Sequence, residues 1–185
     1  MLEQFRRKTP DEILNSISKI KKGRLKIMLG AVSGSGKTYH MLLEGNDLKK
    51  RGIDVVVGII SASNRPKTLE QAGGLEIIPA IEWEVKGETK HDLDLDGIFA
   101  RNPEVVLIDL LAHKNRPSAK NATRLEDVQE LIDNKISVIT TINIYELAGV
   151  KEVAEQLTGL PIHVSNTVPE DTLSHADEVK LLDVT

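Results

Sequence analysis

Residues 31 to 38, Ala-Val-Ser-Gly-Ser-Gly-Lys-Thr, stand between an apolar run, Arg24-Leu-Lys-Ile-Met-Leu-Gly30, and a stretch from Tyr39 to Lys50 with helical periodicity that stops at Gly52. Strand, glycine-rich turn and helix in that order leave few folds open. Gly34 and Gly36 let the backbone turn its N–H groups inward around phosphate oxygens, and the positive end of the following helix adds to that field. Lys37 is then placed to reach β- and γ-phosphates, and Thr38 to offer its hydroxyl to Mg²⁺. The strict phosphate-loop pattern opens with glycine; here Ala31 stands, small enough for the looser form. Nucleotide binding through Ser33, Gly34, Ser35, Gly36, Lys37, Thr38 and Tyr39 is the expectation.

Beyond this loop strands and helices alternate. Val55 to Ile60 reads as a buried strand, Pro66 to Ala72 as a short helix ended by Gly73-Gly74, and Glu76 to Ala80 as another strand. Trp83 to Asp92 is polar around Gly87 and reads as a hairpin at a sheet edge. Leu93 to Arg101 is helical, Val105 to Asp109 a strand, Leu111 to Thr123 a loop, and Arg124 to Asn134 a helix. Ile136 to Ile142 is a strand, Tyr145 to Thr158 a helix, and Ile162 to Ser165 and Glu178 to Val184 close the series. Helices between uninterrupted apolar strands predict right-handed crossovers and a mainly parallel sheet covered on both faces, with ligands at the carboxyl ends of the strands. The expected fold is three-layer α/β, of the P-loop NTPase type, with an added N-terminal helix.

That added helix is signalled by Thr9-Pro10-Asp11-Glu12, which has the form of a capping box. Ile13, Ile17 and Ile20 share one face, and Arg6, Arg7, Lys8, Lys19, Lys21, Lys22, Arg24 and Lys26 make this end basic. It reads either as a solvated face or as a docking surface for a partner or an acidic lipid headgroup. The chain divides into a basic helical extension, 1–22, and a single domain, 23–185.

Composition removes other functions. A net charge of −4 gives no global attraction to nucleic acid or an anionic membrane. Aromatics at 3% make a base-stacking platform a poor expectation, and the absence of cysteine excludes disulfides and thiolate zinc sites. The longest apolar runs are strand-sized, and the amino terminus is not signal-like. A cytosolic protein, or a cytosolic piece of something larger, is expected.

Asp109 follows four apolar residues at a strand's end, the setting of the second magnesium-side acid. An aspartate there can also simply cap a turn; its company with Lys37 and Thr38 favours the metal role. Thr38 and Asp109 would hold Mg²⁺, which keeps several waters. Arg65 follows the second strand with Ser61, Ser63 and Asn64, and can pair with phosphate or hold its loop. His113, Lys114, Asn115 and Arg116 form a candidate flap, Arg116 and Arg124 candidate lid cations, and Thr140, Thr141 and Asn143 candidate phosphate sensors. Leu110 occupies the place where many phosphate-loop ATPases carry glutamate, and lost general-base help costs on the order of 10²–10⁴-fold in rate.

Several stretches together carry a family resemblance: Gly23 to Tyr39, Asp54-Val-Val-Val-Gly58, Val105-Val-Leu-Ile-Asp109 and Leu111-Ala-His-Lys-Asn115. They continue with Asp127 to Leu131, Thr140-Thr-Ile-Asn143, and Val168-Pro169 running to Val179. On these the chain resembles the amino-terminal domain of the KdpD family of potassium- and osmosensing histidine kinases. The resemblance implies an ATP-binding regulatory domain that tunes a kinase–phosphatase balance in two-component control of potassium uptake. Its implied partners are a sensor kinase, a response regulator or a potassium transport component. The family usually has glutamate where Ser61 and Leu110 stand, and histidine-glycine where Ser63 and Asn64 stand; Arg65 is retained. The expected ligand is therefore ATP with Mg²⁺, bound with little or no hydrolysis. Two alternatives stand beside it: a slow ATPase or small phosphotransferase, and a degenerate module that binds only a protein.

Overall fold

A computed structural model describes residues 9–11, 22–31, 34–61, 66–159 and 161–182. Six parallel strands form the central sheet: β1 (Leu25–Gly30), β2 (Val55–Ile59), β3 (Glu76–Ile77), β6 (Val105–Ile108), β7 (Ser137–Asn143) and β8 (Glu178–Leu182). Their spatial order is β3-β2-β6-β7-β1-β8. Strands β4 (Ile81–Val85) and β5 (Glu88–Asp92) make a separate antiparallel hairpin. The helices are α1 (Lys37–Lys50), α2 (Pro66–Ala72), α3 (Leu95–Arg101), α4 (Arg124–Asp133) and α5 (Val150–Thr158).

Strand side chains alternate between two faces, and both are apolar, which is why the strands read as continuous hydrophobic runs. Ile27, Val56, Val106, Ile108, Val138 and Ile142 face one core with Ile98 of α3 and Val128 and Leu131 of α4. Met28, Val57, Leu107 and Ile139 face the other with Met41 and Leu42 of α1 and Ala72 of α2. Each such side chain, fully buried, contributes about 1.5–3 kcal/mol relative to exposure. The expected three layers are present.

Boundaries follow local chemistry. Helix α1 ends at Gly52 (φ 87°), with Lys49 and Lys50 in its last turn opposite the carbonyl dipole. Helix α4 is opened by a capping box: Thr123 Oγ1 accepts from Glu126 N–H at 3.3 Å, and Glu126 Oε2 accepts from Thr123 N–H at 3.0 Å. On β2, Gly58 sits at a break in register, and a Cβ there would meet Val106, Ile98 and Leu93 at 2.9–3.1 Å.

Four expectations are corrected. Ile162 to Ser165 is not a strand: the place beside β1 is taken by β8, and Ile162 N–H donates to the Glu155 side chain (2.7 Å) instead of a ladder. Tyr145 to Thr158 is not one helix; a 3₁₀ turn, Ile144–Glu146, is separated from α5 by Gly149 at φ 85°. The 81–92 hairpin does not extend the main sheet's edge. The strand expected from Glu76 to Ala80 pairs only over Glu76–Ile77. The amino-terminal helix from Thr9 to Lys22 lies largely outside the described residues; Lys22 Nζ bonds to Asp133 at 2.6 Å.

Candidate functional site

Strand β7 runs between β1 and β6, so its carboxyl end bridges the two motifs the sequence singles out. The register pairs Gly30 with Asn143 and Ile108 with Thr140, which brings Asn143 to the glycine-rich turn and Thr141 beside Asp109. The site thus forms at the carboxyl rim of the sheet, where parallel α/β folds place ligands.

The turn after β1 depends on glycine. Gly34 (φ 93°) and Gly36 (φ 81°) are both left-handed, a backbone state that side chains with a Cβ disfavour. Gly36, the N-cap of α1, has no side chain with which to cap the helix, and the first turn carries no acid. The first N–H groups of α1 are therefore left to other acceptors.

Lys37, 7% exposed, turns back over this rim: Nζ donates to Asn143 Oδ1 at 2.6 Å and to Ser35 Oγ at 3.1 Å. Thr38 Oγ1 lies 3.1 and 3.0 Å from the two carboxylate oxygens of Asp109, to which it donates. Asp109, 1% exposed, also accepts from Ser61 N–H at 3.0 Å and from Thr141 Oγ1. A buried carboxylate is costly unless hydrogen-bonded, and three donors meet that requirement here.

Leu110 takes a left-handed backbone (φ 60°), which costs a non-glycine residue roughly 1–2 kcal/mol. Its N–H donates to Thr141 Oγ1 at 3.0 Å, and its carbonyl accepts from His113 N–H at 3.1 Å. The chain turns sharply after Asp109, and Leu110 brings no carboxylate to that turn.

The loop from Leu111 to Thr123 is anchored, contrary to its expected role as a flap. Asn115 Nδ2 donates to Asp127 at 2.7 Å, Asn121 Nδ2 to Asp127 at 2.9 Å, and Arg116 N–H to Asp92 at 2.8 Å. Burial raises the Asp127 carboxyl above its ordinary value, against the pull of Asn121 and Asn115. Arg124 is not a lid cation either: it is 2% exposed and donates Nη1 to the Asp109 carbonyl at 2.9 Å. The Arg116 side chain, 18% exposed, turns inward to Asp92 at 3.6 Å.

The structure therefore brings together Gly34, Ser35, Gly36, Lys37, Thr38 and Asp109, with Thr141 and Asn143. Ser33 and Arg65 lie outside the described residues, as do Ser63 and Asn64. Tyr39 lies edge-on to His40, with ring centroids 5.8 Å apart. Thr140 is buried within the core and not on the rim. Sequence reading missed Asp92 and Glu146; Asp92 gave no signal beyond its place at a hairpin end, since acids are normally read as surface residues.

For a divalent cation, Thr38 and Asp109 supply adjacent oxygen donors. Among the described residues no group of three or more His, Asp or Glu side chains is placed to hold a metal. Such a sparse set suits Mg²⁺, which retains waters and leans on phosphate oxygens, better than a cation needing an all-protein cage.

Comparison with known proteins agrees with the sequence resemblance. A family described as "KdpD: Osmosensitive K+ channel His kinase sensor domain" matches residues 21–185. The chain is 43% identical over 165 residues to the sensor protein KdpD of Mycobacterium tuberculosis (strain ATCC 25618 / H37Rv), covering 89% of this chain and 19% of that protein. It is 36% identical over 178 residues to the sensor protein KdpD of Escherichia coli (strain K12), covering 96% and 20%. To a putative sensor protein KdpD of Synechocystis it is 38% identical over 165 residues, covering 89% and 44%. The chain spans about a fifth of the length of the first two relatives.

Proposed function

Because the chain belongs to the KdpD family of osmosensitive K⁺ channel histidine kinase sensor domains, we propose that it binds Mg²⁺-ATP as a regulatory ligand. Through it, the domain modulates two-component signalling in potassium homeostasis. The observation that carries this reading is the meeting of Thr38 with Asp109 at 3.0–3.1 Å beside Lys37, from segments 71 positions apart. The start of α1, with glycine at its N-cap, would supply N–H donors for phosphate oxygens, and Lys37 the cation. Thr38 and Asp109 would hold Mg²⁺, which when bound screens phosphate charge.

The domain is a binder with little or no hydrolysis. Leu110 offers no proton acceptor, and general-base help is typically worth 10²–10⁴-fold, roughly, in rate. The partner in this reading is a signalling protein: the kinase module, its response regulator or a potassium transport component. Among the described residues no helix is long and apolar enough to cross a membrane.

Thermal unfolding with and without ATP·Mg²⁺ tests the reading. At 100 times Kd, ligation adds about 2.7 kcal/mol, a rise of roughly 5–10 °C in Tm for a chain of this size. Lys37→Ala is expected to lose most of that rise, and phosphate release should not exceed the Lys37→Ala background. Equal stabilisation of both proteins would remove the assigned site.

A further inference from the structure

Asn143 is engaged on two sides. Its Oδ1 accepts from Lys37 Nζ at 2.6 Å, and its N–H donates to Glu146 Oε2 at 2.7 Å across the 3₁₀ turn Ile144–Glu146. That turn opens an excursion from the sheet: the chain leaves at Ala148, forms α5 and returns at Val168. The base of the excursion is closed by Ala148 N–H to the Val168 carbonyl and Val168 N–H to the Glu146 carbonyl, both 2.8 Å. Leu147 and Val168 at this base are each 3% exposed. Farther out, Val153 and Leu157 of α5 are 54% and 82% exposed, so the excursion is held chiefly at its base. Beside it lies a cavity of about 320 Å³, lined by Leu110, His113, Asn143, Tyr145 and His163 among others.

We propose that Asn143 is the residue that distinguishes a nucleoside triphosphate from a diphosphate and passes that difference to the α5 excursion. The inference rests on the nucleotide-binding reading above. In the contact seen here Lys37 gives a hydrogen bond to a neutral amide oxygen. That contact is already charge-assisted by the ammonium, and a γ-phosphate oxygen adds a full negative charge on the acceptor side, so Coulomb attraction to a γ-phosphate draws Nζ away. Asn143 Oδ1 then loses its donor, and rotation of the amide turns Nδ2–H toward the same phosphate. With a diphosphate, Nζ can meet the β-phosphate with one of its three N–H groups and keep Asn143 with another. Since the Asn143 backbone is tied to Glu146, and Glu146 to Val168, the exchange reaches the base of the excursion within one turn of chain. Occupancy of the phosphate rim thus changes how α5 presents its apolar side chains.

Calorimetric titration of the full chain with ATP·Mg²⁺ and ADP·Mg²⁺, paired with amide hydrogen exchange at Ala148 and Val168, tests this. The native chain is expected to prefer ATP by about tenfold or more, the worth of a hydrogen bond to a charged group. Exchange at both amides should change with ATP and not with ADP. Asn143→Ala should lose the preference for ATP over ADP and lose the exchange response. Asn143→Asp, which keeps the shape and holds Lys37 by charge, should bind ATP more weakly than the native chain and likewise give no response. Glu146→Ala should retain the preference and lose the response. If the variants at 143 keep both preference and response, this inference is overturned while the nucleotide site stands. If the native chain binds neither nucleotide, the site reading falls and this inference with it.

Discussion

Arg124 Nη2 lies 3.2 Å from Asp92 Oδ1, and neither side chain reaches water: they are 2% and 1% exposed. Asp92 ends the hairpin strand β5 and Arg124 begins α4. Asp92 further accepts from the N–H groups of Leu93 (2.9 Å) and Arg116 (2.8 Å), and Arg124 reaches the Asp109 carbonyl. Burial draws the Arg124 guanidinium below its ordinary pKa, and the adjacent Asp92 opposes that shift. The pair ties the hairpin, the 111–123 loop and the backbone behind the candidate magnesium residue together through hydrogen bonds.

Removing one partner leaves the other charge buried and uncompensated. Asp92→Ala is expected to cost about 3–5 kcal/mol in urea-induced unfolding. The double variant Asp92→Leu/Arg124→Met should cost less than the sum of its single changes, because no isolated charge remains. A cost below about 1 kcal/mol for Asp92→Ala would mean that Arg124 finds water, contrary to the burial described.

His113 makes stability depend on pH. Burial lowers its pKa from 6.5, the Arg124 charge acts in the same direction, and Asp92, 3.7 Å from Nε2, acts against it. The unfolded chain therefore takes up this proton at a higher pH than the folded protein does. The contribution is intact above pH 6.5 and is lost as pH falls from there through the lower folded-state value. His113→Asn should flatten the profile of unfolding midpoint against pH in that window. An unchanged slope would assign the pH dependence to other groups.

Gly58 marks how closely α3 packs on β2. Adding a methyl group there would meet Val106 Cγ2 at 2.9 Å and Ile98 and Leu93 at 3.1 Å, all in the core. Gly58→Ala should destabilise by about 1–3 kcal/mol, measured by thermal or urea unfolding. The entropy gained by replacing a glycine offsets only about 0.4–1 kcal/mol of that. A variant as stable as the native chain would show that these side chains yield without strain.

How far the sequence could be read depends on whether a feature is local. The strands β1, β2, β6 and β7 were legible because apolar runs of that length have few other uses, and the start of α4 because Thr123 and Glu126 form a cap. Gly34, Lys37, Thr38 and Asp109 were legible as candidates for the same reason. What the sequence did not contain was strand order. Only with β7 between β1 and β6 does Asn143 meet Lys37, 106 positions away, and Thr141 meet Asp109. Arg124 was misjudged and Asp92 passed over because charge is ordinarily a surface signal, and their mutual compensation is visible only in three dimensions. The short stretch Ile162 to Ser165, Ile-His-Val-Ser, alternates as a strand does, but β8 holds the place beside β1.

Whether the rim around Lys37, Thr38 and Asp109 takes a nucleotide with magnesium is decided most directly by calorimetric titration with ATP, with Mg²⁺ present and after chelation. The account predicts saturable binding of one ATP per chain, weakened by chelation and by Asp109→Asn, and abolished by Lys37→Ala while that variant stays folded. No heat with the native chain, or the same isotherm for Lys37→Ala, would contradict it.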